Sequence, residues 1–307
     1  MAHQEIPVTP NGGKNSSDKI PNESGKNYPN GVTNKDLTKT VTRTINIHNI
    51  DGTTTTITQD VKFKKTAYVD AVTGKITGYS DYTSFDDNNG QYAERTFTTP
   101  AGYSSNVTYK NTNTTDTTSG KVTTESATDK DGNPVDETVD VKFIAQDQNI
   151  TIKYVDDDNN GSQVGDNQTV KGKTDETVKP EYTIPDGYDY VSGKVDSHTM
   201  IAGDNTVITV HLKHHHDLTT KTINKEITYQ TTLGKQVADS YKTSTTITKD
   251  YDEATKTTTY KVNGEKATTA DLGSQDVPAA PTGYHLDTDQ SIGDYNKTTS
   301  YLSLIHI

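Results

Sequence analysis

Residues 150–161 read Ile150-Thr-Ile-Lys-Tyr-Val-Asp-Asp-Asp-Asn-Asn-Gly161. Ile150, Ile152 and Tyr154 alternate with Thr151 and Lys153. That spacing sends one row of side chains to a buried face and the other to water, as in a β-strand. Three aspartates, two asparagines and a glycine then follow together. Such a cluster turns a chain, because Asp and Asn bond their own backbone and Gly accepts positive φ. The stretch therefore predicts a strand and a tight turn opening a small β module near residue 148.

Outward from this point the chain keeps the same character. Thr makes up roughly 18% of the 307 residues, and Tyr, at 18 copies, dominates the aromatics beside 4 Phe and no Trp. Thr is β-branched and suits a half-buried pleated surface. Residues counted as hydrophobic are 28% of the chain. Adding Gly brings the set to about 35%, below the usual 45–50%. One large core is excluded, and several thin sheets, each apolar on one face, are predicted.

The formal net charge is −12 and the pI about 5.1. Without a dominant basic patch, nucleic acid is not an expected partner. The absence of cysteine excludes disulfides and thiolate chemistry. No apolar run has the length of a membrane span, and Met1 does not open a signal segment. If the protein is exported, its export and anchoring ends are expected to lie outside this sequence.

Residues 1–35 are rich in Asn, Gly, Pro, Ser and Lys, with Ile6, Val8, Ile20 and Val32 isolated, and are read as a disordered linker. From Asp36 alternation resumes: Val41, Ile45 and Ile47, an Asp51-Gly52 hairpin turn, then Ile57, Val61 and Phe63. Further turns are expected at Thr73-Gly74, at 86–90 and at 129–137. A Pro-x-Gly-Tyr corner ends at Tyr103, recurs at Tyr188 and recurs again at Tyr284. Asp217 and Asp36 are 181 positions apart, as are Tyr284 and Tyr103. The chain thus contains an internal repeat, in the order large module, small module, large module. The last copy is expected to be truncated, and residues 302–307, which break the composition, are read as an artefactual tail. The resulting division is 1–35 linker, 36–147 large module, 148–213 small module, 214–301 truncated large module and 302–307 tail.

Residues 150–217, with ITIKYVDDDNNG, YTIPDGYDYV and VITVHLKHHHD, resemble the small MucBP (B1) repeat of lactobacillus mucus-binding surface proteins. TRTINIHNIDGTTTTITQDVKFKKTAYVDAVTGKITGY with the later TTPAGY resembles the companion Mub B2-like domain. TINKEITYQTTLGKQ with PTGY is similar to a second, more divergent B2-like copy. Where that family usually has a Trp after the Thr-Gly turn, this chain has Tyr79 and Tyr82. The resemblance implies a mainly β, elongated tandem array of small β-grasp-like, ubiquitin-related modules with little helix. It also implies a secreted, cell-wall-attached adhesin of a Gram-positive cell surface. Its repeats would bind mucin or other host glycoproteins or glycans as a monomeric array, without inserting into the membrane. The alternative is a non-binding stalk that projects a distant adhesive domain.

Candidate sites are few. Tyr79, Tyr92 and Tyr190 are glycan-contact candidates, since a Tyr ring stacks on the apolar face of a sugar. The corner residues Tyr103, Tyr188 and Tyr284 are read instead as packing positions, ring in the core and hydroxyl at the rim. Asp156-x-Asp158-x-Asn160-Gly161 matches half of an EF-hand loop, but its twelfth position is Asn167 instead of Glu, so only adventitious Ca²⁺ is expected there. His211, His214, His215 and His216 cluster without carboxylates at metal-site spacing and are read as a linker. No nucleophile, metalloprotease or phosphate-loop motif is present, and neither an enzyme nor a cofactor is expected.

Overall fold

A computed structural model describes residues 3–21, 25–85, 88–267, 269–270, 272, 279–285 and 299–300. Strand dominates, and among the described residues the only helical turns are the 3-10 segments Pro10–Gly12 and Asp157–Asn159. The chain divides into two compact units. One holds residues 1–149, 171–178 and 199–204; the other holds 150–170, 179–198 and 205–307.

The first unit is organised by the strand Thr38–His48. Its Val41, Arg43, Ile45 and Ile47 are buried while their neighbours are more exposed, which is the alternation expected from the sequence. It pairs antiparallel with Thr54–Lys64 over the whole length, from Thr38 opposite Lys64 to His48 opposite Thr54. The connecting turn places Gly52 at φ +85° and closes through Gly52 N–H to the Asn49 carbonyl at 3.0 Å. On its other side the 38–48 strand pairs parallel with Glu137–Ala145, which in turn pairs antiparallel with Tyr103–Tyr109. A first hairpin whose leading strand lies parallel to the last strand is the β-grasp order. The long excursion between them supplies the crossover that a parallel pair requires. Here that crossover contains short strands and turns, with no α-helix among its described residues.

Two clusters fill this sheet's buried side. Ile45, Ile47, Val107, Tyr109, Val122, Val139 and Val141 form one, against which Phe97 meets Phe143 edge-on at 6.0 Å. Val41, Val61, Phe63, Tyr92 and Ala127 form the other.

The reading of residues 1–35 as a disordered linker is corrected. Glu5–Val8 pairs antiparallel with Ala67–Asp70, which also pairs with Ile76–Tyr79. Val8, Ile20, Tyr28, Val32, Leu37, Ala67, Val69 and Ala71 make one core cluster. The apolar residues of the lead-in looked isolated because Ile6 and Val8 enter this core from a four-residue strand and Ile20, Tyr28 and Val32 from irregular segments, too little regular structure to show a period.

In the second unit the small module repeats the same order. Thr151–Asp156 runs parallel to Val207–Leu212, residues 188–192 run antiparallel to the same strand, and Ser162–Gln163 folds back on Val155 and Asp156. Ile150, Ile152, Tyr154, Ile208, Val210 and Leu212 are buried. The strands His216–Gln230 and Gln236–Asp252 then form a long antiparallel hairpin, continued by Thr257–Val262 and Glu265–Lys266. Its core is thin: Ile247 and Ala270 are buried, with Ile223, Tyr260, Val262 and Ala267 packed against them. The tail read as an artefact lies outside the described residues. No helix among them is long and apolar enough to cross a membrane.

Candidate functional site

The three tyrosines proposed for glycan contact separate by burial. Tyr79 is 44% exposed and Tyr190 43% exposed, whereas Tyr92 is 1% exposed. Tyr92 is therefore corrected to a core residue. Its hydroxyl donates to the Val135 carbonyl at 2.8 Å, and the Arg43 guanidinium lies 5.1 Å from its ring centroid. Burial raises its phenol pKa well above the ordinary value.

Each exposed tyrosine shares a lysine with a second tyrosine. Lys65 Nζ lies 4.0 Å from the Tyr79 ring centroid and 5.2 Å from that of Tyr82. Lys194 Nζ lies 4.4 Å from the Tyr190 centroid and 5.5 Å from that of Tyr182. A lysine over an aromatic face is attracted by the ring quadrupole and shields the ring with its stem. Tyr79 is held by its hydroxyl on the Gly31 carbonyl at 3.2 Å, and Tyr182 by its hydroxyl on the Val195 carbonyl at 3.0 Å. Beside Lys65 opens a cavity of about 250 Å³, lined by Pro10, Lys64, Ser80, Thr83 and Phe85. Lys65 and Lys194 were not singled out from the sequence, because a lysine's neighbours across strands cannot be read from spacing.

The Gly-Tyr corners are turns of one kind. The amide of Tyr103, Tyr188 or Tyr284 donates to the carbonyl of the proline three residues earlier. The intervening Gly102, Gly187 and Gly283 have φ of +77°, +85° and +90°, which only glycine adopts cheaply. Tyr103 is half-buried and donates its hydroxyl to Asp175 at 2.7 Å. Tyr188 is half-buried and meets the His214 ring edge-on at 5.7 Å. Tyr284 is exposed, which departs from the packing role expected of it.

The acidic turn and the histidine cluster, read separately from the sequence, are brought together. Asp156 is 3% exposed, caps the 3-10 turn by accepting from the Asp158 amide at 3.0 Å, and lies 3.0 Å from His214 Nε2 through its other oxygen. His214 Nδ1 lies 2.7 Å from Asp252, and the His214 amide donates to Asp158 at 2.8 Å. His211 pairs with Asp157 at 2.7 Å, His215 with Asp189 at 2.9 Å and His216 with Asp250 at 2.7 Å. The linker reading of 214–216 is thus corrected. His214 ends one strand, His216 begins the next, and carboxylates arrive from residues far away in sequence. Asn160 occupies the left-handed region at φ 54° and serves the turn.

Burial works against a charged His214 ring, but the bonds to Asp252 and Asp156 outweigh it and hold its pKa above the usual value. His215 is raised by its bond to Asp189. Asp252 is opposed by burial, yet the Thr255 amide and His214 bring it down to about 2.

Residues 32–132 match the Muc B2-like domain family, and residues 148–214 match the Mucin binding domain family. Both are families of adhesin domains and neither is a family of enzymes. Solved structures of similar sequence include a crystal structure of Mub-RV, 25% identical, over 44% of this chain and 83% of that one, at a TM-score of 0.23. The type 2 repeat of the mucus binding protein MUB from Lactobacillus reuteri is 19% identical, over 44% of this chain and 83% of that one, at 0.24. The MucBP domain of an adhesion protein from Pediococcus pentosaceus is 23% identical, over 35% of this chain and 99% of that one, at 0.26. No curated protein matches. Over residues 32–132 and 148–214 the chain therefore belongs to the mucus-binding adhesin repeat proteins, as a Muc B2-like domain followed by a mucin binding domain.

Proposed function

We propose that this chain is part of a cell-surface, wall-attached adhesin that holds mucin-type glycoproteins by weak contacts to their glycans, one contact site in each of its first two modules. The observation that carries the reading is the recurrence of an exposed tyrosine with a lysine ammonium over its ring: Tyr79 with Lys65 and Tyr190 with Lys194. A tyrosine ring offers an apolar face for a sugar, and the neighbouring ammonium favours a glycan bearing a carboxylate or sulfate. Each contact is shallow and weak, so useful attachment comes from repetition, which raises the effective concentration of the second contact once the first is made.

The test is binding of the whole chain to immobilised mucin at low and physiological salt. Tyr79→Ala combined with Tyr190→Ala is expected to lower binding at least tenfold, and Lys65→Gln with Lys194→Gln is expected to remove its salt dependence. Wild-type binding that neither pair of changes alters would overturn these contact sites. A second reading, the non-binding stalk, is favoured by one observation: each lysine already occupies a face of its tyrosines, as in a self-contained structural contact. A wild-type chain that binds no mucin at either salt would select it.

A further inference from the structure

We propose that Asp156, Asp158 and His214 form a binding site for a single divalent transition-metal ion of the Zn²⁺ class, at the end of the small module's central strands. Among the described residues these three offer one ligand atom each, all within 4.8 Å of one another. The inference is independent of the glycan reading above.

The argument starts from one imidazole between two carboxylates. His214 Nδ1 stands 2.7 Å from a carboxylate oxygen of Asp252, an acceptor, and donates to it. That bond orients the ring and leaves Nε2 aimed at Asp156, 3.0 Å away. A histidine whose far nitrogen is fixed by a carboxylate while its near nitrogen points to a cation is the usual arrangement around bound metal. An Nε2 lone pair facing carboxylate oxygens is repulsive unless a cation stands between them. A proton on Nε2 answers to Asp156 alone, whereas a divalent ion answers to Asp156 and Asp158 together.

The remaining valences of both aspartates agree. One Asp156 oxygen is used by the Asp158 amide and the other faces Nε2. One Asp158 oxygen accepts the His214 amide, which leaves its second oxygen available to a cation. The three groups are held by regular structure: Asp156 ends the strand Asp147–Asp156, Asp158 sits in the 3-10 turn after it, and His214 ends the strand Val207–His214. Asp156 is almost fully buried, while Asp158 is exposed and leaves an entry path. Tyr188 walls one edge of the ring.

One imidazole nitrogen and two carboxylate oxygens, with a water as fourth ligand, suit Zn²⁺ better than Ca²⁺, which takes six to eight oxygens. The calcium pattern that included Asn160 is thereby replaced by one that includes His214. Two further groupings, His214 with His216 and Asp252, and His215 with Asp217 and Glu253, also satisfy the same distance limit. The first would require the nitrogen already bonded to Asp252, and the second contains no buried residue to fix it, unlike the site built on Asp156.

The experiment is calorimetric titration of the whole chain with ZnCl₂ at pH 7.5, after dialysis against EDTA and then chelator-free buffer, with CaCl₂ in parallel. A saturable one-to-one zinc isotherm is expected, with no saturable calcium signal. Asp158→Asn keeps the shape and the bond from the His214 amide, so it folds, and it should weaken zinc at least tenfold. His214→Ala should abolish the isotherm, and His216→Ala should leave it within threefold of wild type. The proposal is overturned if wild type gives no zinc isotherm, or if Asp158→Asn binds zinc as wild type does. It is equally overturned if His216→Ala, and not Asp158→Asn, removes binding, since the exposed histidines would then be the chelator.

Discussion

Arg43 and Gln59 face each other inside the first unit, with guanidinium Nε and Nη2 both donating to Gln59 Oε1, at 2.9 and 2.7 Å. Arg43 is fully buried, and its other donors reach the carbonyls of Thr123 and Ala93. Gln59 uses its amide nitrogen on the same Ala93 carbonyl. The guanidinium thus ties the central hairpin to the 93 and 123 segments that cross over it. Burial lowers the Arg43 pKa, and the nearby Glu137 works in the opposite direction.

Arg43→Ala is expected to destabilise the first unit by about 3–5 kcal/mol, because it strands a buried acceptor set beside Glu137. Gln59→Ala should cost less, about 1–3 kcal/mol, the penalty of an unpaired buried polar group. Urea unfolding of both variants and of the double variant checks this. The double variant should be less destabilised than the sum of the two, since the residues share one network.

Tyr92→Phe removes only the hydroxyl that donates to Val135. A stability loss of about 0.5–1.5 kcal/mol is expected, with mucin binding unchanged. The same pair of measurements on Tyr190→Phe should show no loss of stability, because that residue lies at the surface.

Gly193 sits at φ +99°, beside the irregularity between Tyr190 and Ser192 where residues 188–192 pair with the 207–214 strand. A Cβ added there would stand 2.0 Å from the Thr209 carbonyl oxygen, which is backbone and cannot turn aside. Gly193→Ala is expected to destabilise the second unit by more than the about 1–3 kcal/mol of backbone strain alone. A thermal melt against wild type reads the loss, and Gly165→Ala, in the same unit with open space at its Cβ, is the control for left-handed strain without a clash.

Asp70 is held at a pKa of about 2, first by the Thr73 amide against the opposing effect of burial, then by His3 and the Val72 amide. Its folded pKa lies below the unfolded value of about 3.9. The stabilisation is therefore complete above about pH 4 and is lost as pH falls towards 2. Acid titration followed by circular dichroism should show Asp70→Asn less stable than wild type at pH 6. The two should converge between pH 4 and 2.

Much of the first unit was legible because its strands alternate strictly. Val41, Ile45, Ile47, Val61 and Phe63 were placed correctly, and the Asp51-Gly52 and Thr73-Gly74 turns lie where Gly at positive φ was required. The lead-in was misread because Ile20, Tyr28 and Val32 have no period: each is buried from an irregular segment, which carries no alternation to detect. Arg43 could have been found by parity, since it falls in the buried row between Val41 and Ile45. Tyr92 could not, because it lies in a two-residue strand whose burial depends on Val135 and Arg43.

The sequence by itself determined the β class and the turn positions, because alternation and glycine's conformational freedom are local properties of the chain. Only the tertiary structure decided which polar residues meet. Asp156 and His214 are 58 positions apart, and His214 and Asp252 are 38 apart. The parallel pairing of the module's first and last strands brings Asp156 beside His214, and the hairpin that follows brings Asp252. An acidic turn and a run of histidines are ordinary surface features until strand register places one imidazole between two carboxylates. Register is set by the burial of whole strand faces, which no single motif records.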